Sequence, residues 1–233
     1  MADALFQEWQ VYEKLLIHDY MDHKAFFGRL ANEIVARFDR PVRILDLGCG
    51  DLTPVLPLLS AVPVACYAGI DESDVALAIA RRRLEGASIP AELLAGDMRE
   101  VLQTLTGEFD VIIASFSMHH ISEPEEKQAV FAACAPLLSS KGLLAVIDVF
   151  SDPAETRDAY VERWISHADE RYAALAPREK ALLFDHVRAR DFPVSVDHCR
   201  RLGKAAGLNG FDVLLEDAPH LNRLVVLSGG ALN

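Results

Sequence analysis

Cysteine is scarce and scattered in this chain. The 233 residues hold four, Cys49, Cys66, Cys134 and Cys199, with no C-x-x-C pair and no cysteine–histidine cluster at zinc spacing. A disulfide framework is not expected, nor is a structural metal, and a reduced, cytoplasmic setting fits best. Long apolar runs are missing too. No stretch approaches 18 apolar residues, and MADALFQEWQ shows no basic start followed by an apolar segment, so neither a membrane span nor a secretory signal is expected. Positive charge is in deficit, with 23 Lys and Arg against 35 Asp and Glu and a net charge of -12. An acidic chain repels phosphate backbones, which argues against nucleic acid as a partner. The run Arg81, Arg82, Arg83 suits the last turn of a helix, where cations complement the macrodipole. Internal repeats, low-complexity tracts and an interdomain linker are also absent, and the length suits a single domain over 1–233.

The residues present alternate between two periodicities. Leu5, Trp9, Tyr12, Leu15 and Leu16 recur at helical spacing, as do Phe26, Phe27, Leu30, Ile34, Val35 and Phe38, until Pro41 ends the pattern. These make an N-terminal helical cap over 1–40. VRILDLGCG then reads as a strand ending in glycines, with a short helix over 53–60. YAGID (67–71) ends a second strand, and Ser73 caps a helix running to about Leu84, with Gly86 as its stop. AELLAG (91–96) is a third strand, 98–105 a short helix, and FDVIIAS (109–115) a fourth strand. Ser122 and Glu125 have the spacing of a capping box. SSKG is a turn before a fifth strand, LLAVIDVF (143–150). Residues 151–193 read as a charged helical insertion, 194–208 as a helix, and FDVLLEDA and LNRLVVLSG as an antiparallel pair joined around Pro219 and His220. The alternation of strand and helix implies an α/β fold. It predicts a doubly wound, mostly parallel, seven-stranded sheet with an antiparallel C-terminal strand.

Several pieces stand in a telling order: ILDLGCG (44–50), GID ending at Asp71, AGDM (95–98), FDVIIASFSMHHIS (109–122), and SSKGLLAVIDVF (139–150). In that order they resemble the Rossmann-like class I S-adenosylmethionine-dependent methyltransferases. The resemblance covers roughly 40–150 and 194–228. It implies an enzyme that transfers a methyl group from S-adenosyl-L-methionine to a small molecule, the acceptor atom being oxygen, nitrogen or carbon. The resemblance places Gly48 against the methionine part of the cofactor, with Cys49 and Gly50 completing the turn, and Asp46 near its amino group. Missing side chains let a backbone approach a ligand closely, although a tight turn holding nothing is the plainer alternative. Asp71 would accept from both ribose hydroxyls, a turn or helix-capping aspartate being the alternative, with Glu72 its substitute if the register is one off. Asp97 and Met98 would meet the adenine, but Asp97 and Glu100 also fit a capping box. Ser115 and Phe116 would lie under the methionine portion. The third glycine frequent in the family is replaced by Leu52, and the dinucleotide fingerprint fails at Thr53.

Transfer of a methyl group needs orientation above all, worth roughly 7–11 kcal/mol of barrier, and a base only where the acceptor must lose a proton. His120 and His119, just after the fourth strand, are the candidates, with His120 preferred. Simple packing is the alternative for both. This loop lacks the Asn/Asp-Pro-Pro-aromatic sequence of nucleobase methylases, which favours a small-molecule acceptor. His18, Asp19, Asp22 and His23 could be read as metal ligands on a helix, but a solvated helix edge is the preferred reading, and no metal is expected. Tyr12 or Tyr20 would reach the cofactor from the cap. Tyr160, Trp164, His167, Tyr172 and His186 would either shape the acceptor pocket or pack a small core of their own. Two alternatives of function stay open: an NAD(P)-dependent oxidoreductase, and a non-catalytic S-adenosylmethionine-binding module. The oligomeric state is open, with a homodimer among the options.

Overall fold

The computed structural model describes residues 2–87 and 89–230, and no side chain is described for 2–9, so the periodicity expected from Leu5 and Trp9 lies partly outside the described residues. Helices α1 (Ala2–Ile17) and α2 (His23–Arg37) precede the sheet. The chain then runs β1 (Val42–Leu47), α3 (Leu56–Ala61), β2 (Val64–Asp71), α4 (Asp74–Leu84), β3 (Ala91–Ala95), α5 (Met98–Val101) and β4 (Phe109–Ser115). A 3-10 turn (Met118–His120) leads to α6 (Pro124–Cys134) and β5 (Leu138–Ser151). Beyond it lie α7 (Arg157–Arg171), α8 (Pro177–Arg190), β6 (Val194–Ser195), α9 (Val196–Ala205), β7 (Gly210–Glu216) and β8 (Asn222–Ser228).

The main sheet has the order β3-β2-β1-β4-β5-β8-β7, and β6 adds two residues beside β5. Strands β1 to β5 pair in parallel, while β8 runs antiparallel to both neighbours. The expected sheet is therefore present. Alternation along each strand divides the core into two layers. Ile44, Val111 and Ile113 pack with Phe26, Phe27 and Leu30 of α2 on one face. Leu45, Leu47 and Ile112 pack with Val130 and Phe131 of α6 on the other. Strand order reverses between β1 and β4, and such a switch point opens a crevice at the carboxyl ends of the strands.

Four local expectations need correction. Ser122 does not cap α6. Pro124 occupies the first turn, so the helix starts later, with Glu123 at its N-cap and no side-chain cap. Residues 18–22 form a turn in which Asp19 and Asp22 have φ of 52° and 53°, so the helical faces supposed for His18–His23 do not exist. The helix at 98–105 shortens to α5. SSKG is taken into β5, and the extra residues appear as a register shift against β4. Ser73 does cap α4, accepting from the Ala76 amide. In the 151–193 segment Tyr160, Trp164 and Tyr172 pack with Val11 and Leu15 of α1, which is the small-core alternative. Among the described residues no helix is long and apolar enough to cross a membrane.

Candidate active site

The turn after β1 is tight because its amides are satisfied within the protein. The amides of Gly48 and Cys49 both donate to the Ile70 carbonyl, at 2.8 and 2.9 Å. The Gly50 amide donates to Asp71 Oδ2 at 2.8 Å. Gly48 and Gly50 take φ of 74° and 54°, which the lack of a Cβ permits. A Cβ on Gly48 would stand 2.7 Å from Ser117 Cβ. At Gly48 the missing side chain lets Ser117 approach closely, and the amides of residues 48–50 are not free donors. Cys49 is buried with its thiol against Gly69. Leu52, where a glycine was expected, keeps the left-handed conformation at φ 67° while fully buried. The bend survives the missing glycine, at a cost of about 1–3 kcal/mol in backbone strain that burial offsets.

Two carboxylates flank this turn. Asp46 is buried, and its Oδ2 accepts from the Tyr67 hydroxyl at 2.8 Å. Its Oδ1 is buried with no hydrogen-bond partner. Burial pushes its pKa up to about 7, against the Tyr67 bond that lowers it. Asp71 ends β2, and its two oxygens accept from the Ser73 and Gly50 amides at 2.8 Å each. Each oxygen keeps a second lone pair for another donor. Glu72 beside it is exposed. Tyr12 of α1 comes near, its hydroxyl 4.0 Å from the Cβ position of Gly50; burial, then Asp51, Asp71 and Asp46, raise its pKa. Tyr20 is engaged elsewhere: its hydroxyl accepts from the Ala174 amide and its ring stacks on Tyr172. Asp97 caps α5, accepting from the Arg99 amide, and is also held by the Arg99 guanidinium. Met98 Cε lies 3.7 Å from the Gly48 Cβ position.

At the end of β4, Ser115 is half-buried, and Phe116 takes φ 49°, an uncommon conformation for an aromatic residue. Its ring packs against His23, whose imidazole burial pushes down to about 4. His119 is buried, with Nδ1 at 2.5 Å from Asp148 Oδ1 and Nε2 at 3.7 Å from Asp191 Oδ1. Burial alone would lower its pKa, but Asp148 and Asp191 outweigh this and raise it. His120 reaches the surface, with Nδ1 at 3.3 Å from the Arg190 carbonyl. Loss of water around the ring, then His119 and His186, hold it below the ordinary imidazole range.

Residues 44–142 match a family model described as a methyltransferase domain. Over that segment the chain is similar to S-adenosylmethionine-dependent methyltransferases of the Rossmann-like class. The cofactor of these methyltransferases is S-adenosylmethionine. A ubiquinone biosynthesis O-methyltransferase of Thiobacillus denitrificans is 34% identical over 102 residues, covering 43% of this chain and 41% of that protein. An mRNA cap guanine-N(7) methyltransferase of Schizosaccharomyces pombe is 30% identical over 131 residues, covering 51% and 36%. The matched region is thus less than half the length of either relative. The structure of magnesium protoporphyrin IX methyltransferase from Synechocystis with bound SAH superposes with a TM-score of 0.63 at 15% identity, covering 96% and 94% of the two chains. That likeness is one of fold.

In this chain Asp46, Gly48, Gly50, Asp71 and Met98 come together at the switch point. The set fits the cofactor. An amino acid ammonium is the donor that the orphaned Asp46 Oδ1 lacks, and Asp71 retains acceptor capacity for sugar hydroxyls. Three residues escaped the sequence reading. Ser117 fills the space over Gly48, and Asp148 and Asp191 flank His119. Asp148 had a signal, being an acid inside the apolar strand LLAVIDVF. Asp191 had none, because only the return of the chain after α8 brings it to β4.

Proposed function

We propose that this protein methylates a small-molecule hydroxyl using S-adenosylmethionine. The observation that supports the reading most is the buried Asp46 with an oxygen lacking any partner beside the Gly48 bend. When bound, the cofactor supplies a methyl group on a sulfonium, a leaving group that needs no protonation. The protein's part is placement. Asp46 would hold the amino group, Asp71 the ribose, and Asp97 with Met98 the adenine. Gly48, Gly50 and the backbone near Ser115 and Phe116 would leave room for the methionine portion; Cys49 would contribute only its backbone.

At the acceptor end the two histidines have different capacities. Both ring nitrogens of His119 face carboxylates, so His119 serves to organise the loop. His120 presents Nδ1 to the Arg190 carbonyl, which places the hydrogen on Nδ1 and leaves a lone pair on Nε2. That lone pair would be the base for a hydroxyl, a weak one while desolvation, His119 and His186 hold the ring's pKa down. The 1–40 cap and the 151–193 insertion, joined through α1, α7 and α8, would frame the acceptor pocket within one domain. The acidic charge and the loop ASFSMHH favour a small molecule over RNA, and the ubiquinone-pathway relative is consistent with that. The mRNA cap relative keeps the competing acceptor explicit.

The test is calorimetric titration with S-adenosylhomocysteine, the demethylated product, of the wild-type chain and Asp71→Ala. Wild type binds and the variant binds more than tenfold more weakly. No heat with wild type rejects the cofactor reading, and equal affinity rejects the role of Asp71. Labelled cofactor offered with small hydroxyl compounds and with capped RNA then decides the acceptor class.

A further inference from the structure

The pair after β4 forms a cluster with Asp191, a residue to which the methyl-transfer reading gives no task. His119, His120 and Asp191 each present a ligand atom, and these atoms all lie within 4.8 Å of one another. His119 is oriented by Asp148, whose Oδ1 meets Nδ1 at 2.5 Å. Its Nε2 is thereby aimed at Asp191 Oδ1, 3.7 Å away and too far for a hydrogen bond. Asp191 is 4% exposed, and this Oδ1 is buried without a hydrogen-bond partner. A buried, unpaired carboxylate oxygen is costly.

The geometry points to a divalent transition-metal site, of the zinc type, formed by His119 Nε2, a ring nitrogen of His120 and Asp191 Oδ1. Metal–ligand bonds of about 2.0–2.2 Å in a tetrahedron separate ligand atoms by about 3.4 Å, so the 3.7 Å gap needs little closure. Two imidazoles and one carboxylate are a donor set that zinc and its neighbours accept, with a position left for an oxygen. The Asp148 carboxylate behind His119 is the outer partner that metal-bound histidines ordinarily have. The Asp191 backbone is held at both ends, its amide donating to Val187 and its carbonyl accepting from Arg157 Nε at 2.7 Å, so the third ligand is fixed in place. In the open position an ion would bind water or an acceptor hydroxyl and lower its pKa, taking over the task of the His120 lone pair. That consequence rests on the methyl-transfer reading; the binding itself does not.

The test uses tag-free, full-length protein stripped with a chelator and dialysed. Zinc is titrated by calorimetry, and cobalt by visible absorption. One ion per chain is expected, with a tetrahedral cobalt band. His120→Ala and Asp191→Asn each weaken zinc binding at least tenfold and abolish the band. Absence of stoichiometric binding by wild type overturns the site, as does wild-type affinity in both variants. Asp191→Asn is scored only if its melting curve shows a folded protein; otherwise His120→Ala, at an exposed position, decides alone. Titration of the stripped protein with S-adenosylhomocysteine separates failure here from failure of the cofactor reading.

Discussion

Asp46 shows how a single side chain joins stability to binding. Its carboxyl is raised to about 7 by burial, well above the ordinary value of about 3.9. The folded chain therefore binds more protons at this residue than the unfolded chain between those values. The sign follows: stability is fully present below pH ~4 and is lost as the pH rises to about 7, with no further loss above. Asp46→Asn removes the penalty. The ligand-free variant melts several degrees higher than wild type at pH 8 and at the same temperature at pH 4. Its affinity for S-adenosylhomocysteine falls more than tenfold, because the neutral amide cannot pair with an ammonium. A gain equal at both pH values would show that charge is not the cause. His120 is the second residue whose role is separable. Under the proposed base role, His120→Ala lowers kcat about 100-fold and leaves the S-adenosylhomocysteine Kd within twofold. An unchanged rate removes it as the base.

At the scale of elements, caps and turns decided where the helices begin. Ser73 and Ser122 look alike in sequence, each a serine before a helix. Only Ser73 accepts an amide of its helix, from Ala76 at 3.2 Å. The Ser122 hydroxyl goes instead to Glu123 Oε1, and Pro124 starts α6 without it. Ser73→Ala is expected to cost about 1 kcal/mol in urea denaturation, and Ser122→Ala nothing measurable; equal losses would contradict the assignment. The β1–α3 turn carries a related lesson. Its glycine pattern is incomplete, yet Leu52 takes the positive φ that a glycine would have taken. A motif therefore understates what a backbone can be forced to do when a fully buried side chain holds it there. Local signals also failed at 18–22. The polar residues His18, Asp19 and Asp22 there resemble a helix edge, but the junction of α1 with α2 imposes two left-handed aspartates.

At the scale of the whole molecule, the sheet sets the choice between cofactors. S-Adenosylhomocysteine at about 100 times its Kd adds about 2.7 kcal/mol to stability by mass action. For a chain of this size that raises Tm by roughly 5–10 °C. NAD is expected to leave Tm unchanged; the reverse pattern would favour the oxidoreductase alternative. The order of elements, the sheet's parallel character, the glycine bend after β1 and the acid Asp71 at the end of β2 were all legible in the sequence. They are set by short-range rules: strand period, glycine at a bend, an acid at a strand end. Other features were not legible. The pairing of His119 with Asp148 and Asp191 joins residues 29 and 72 positions apart, and no local pattern marks it. The orphaned oxygen of Asp46 is likewise a property of what surrounds it. The sequence alone determined the fold and the glycine bend at the switch point of the sheet, because apolar periodicity and turn chemistry act between neighbours in the chain. Only tertiary structure decided which polar groups are left buried and unsatisfied, because desolvation and hydrogen bonding depend on distant segments meeting.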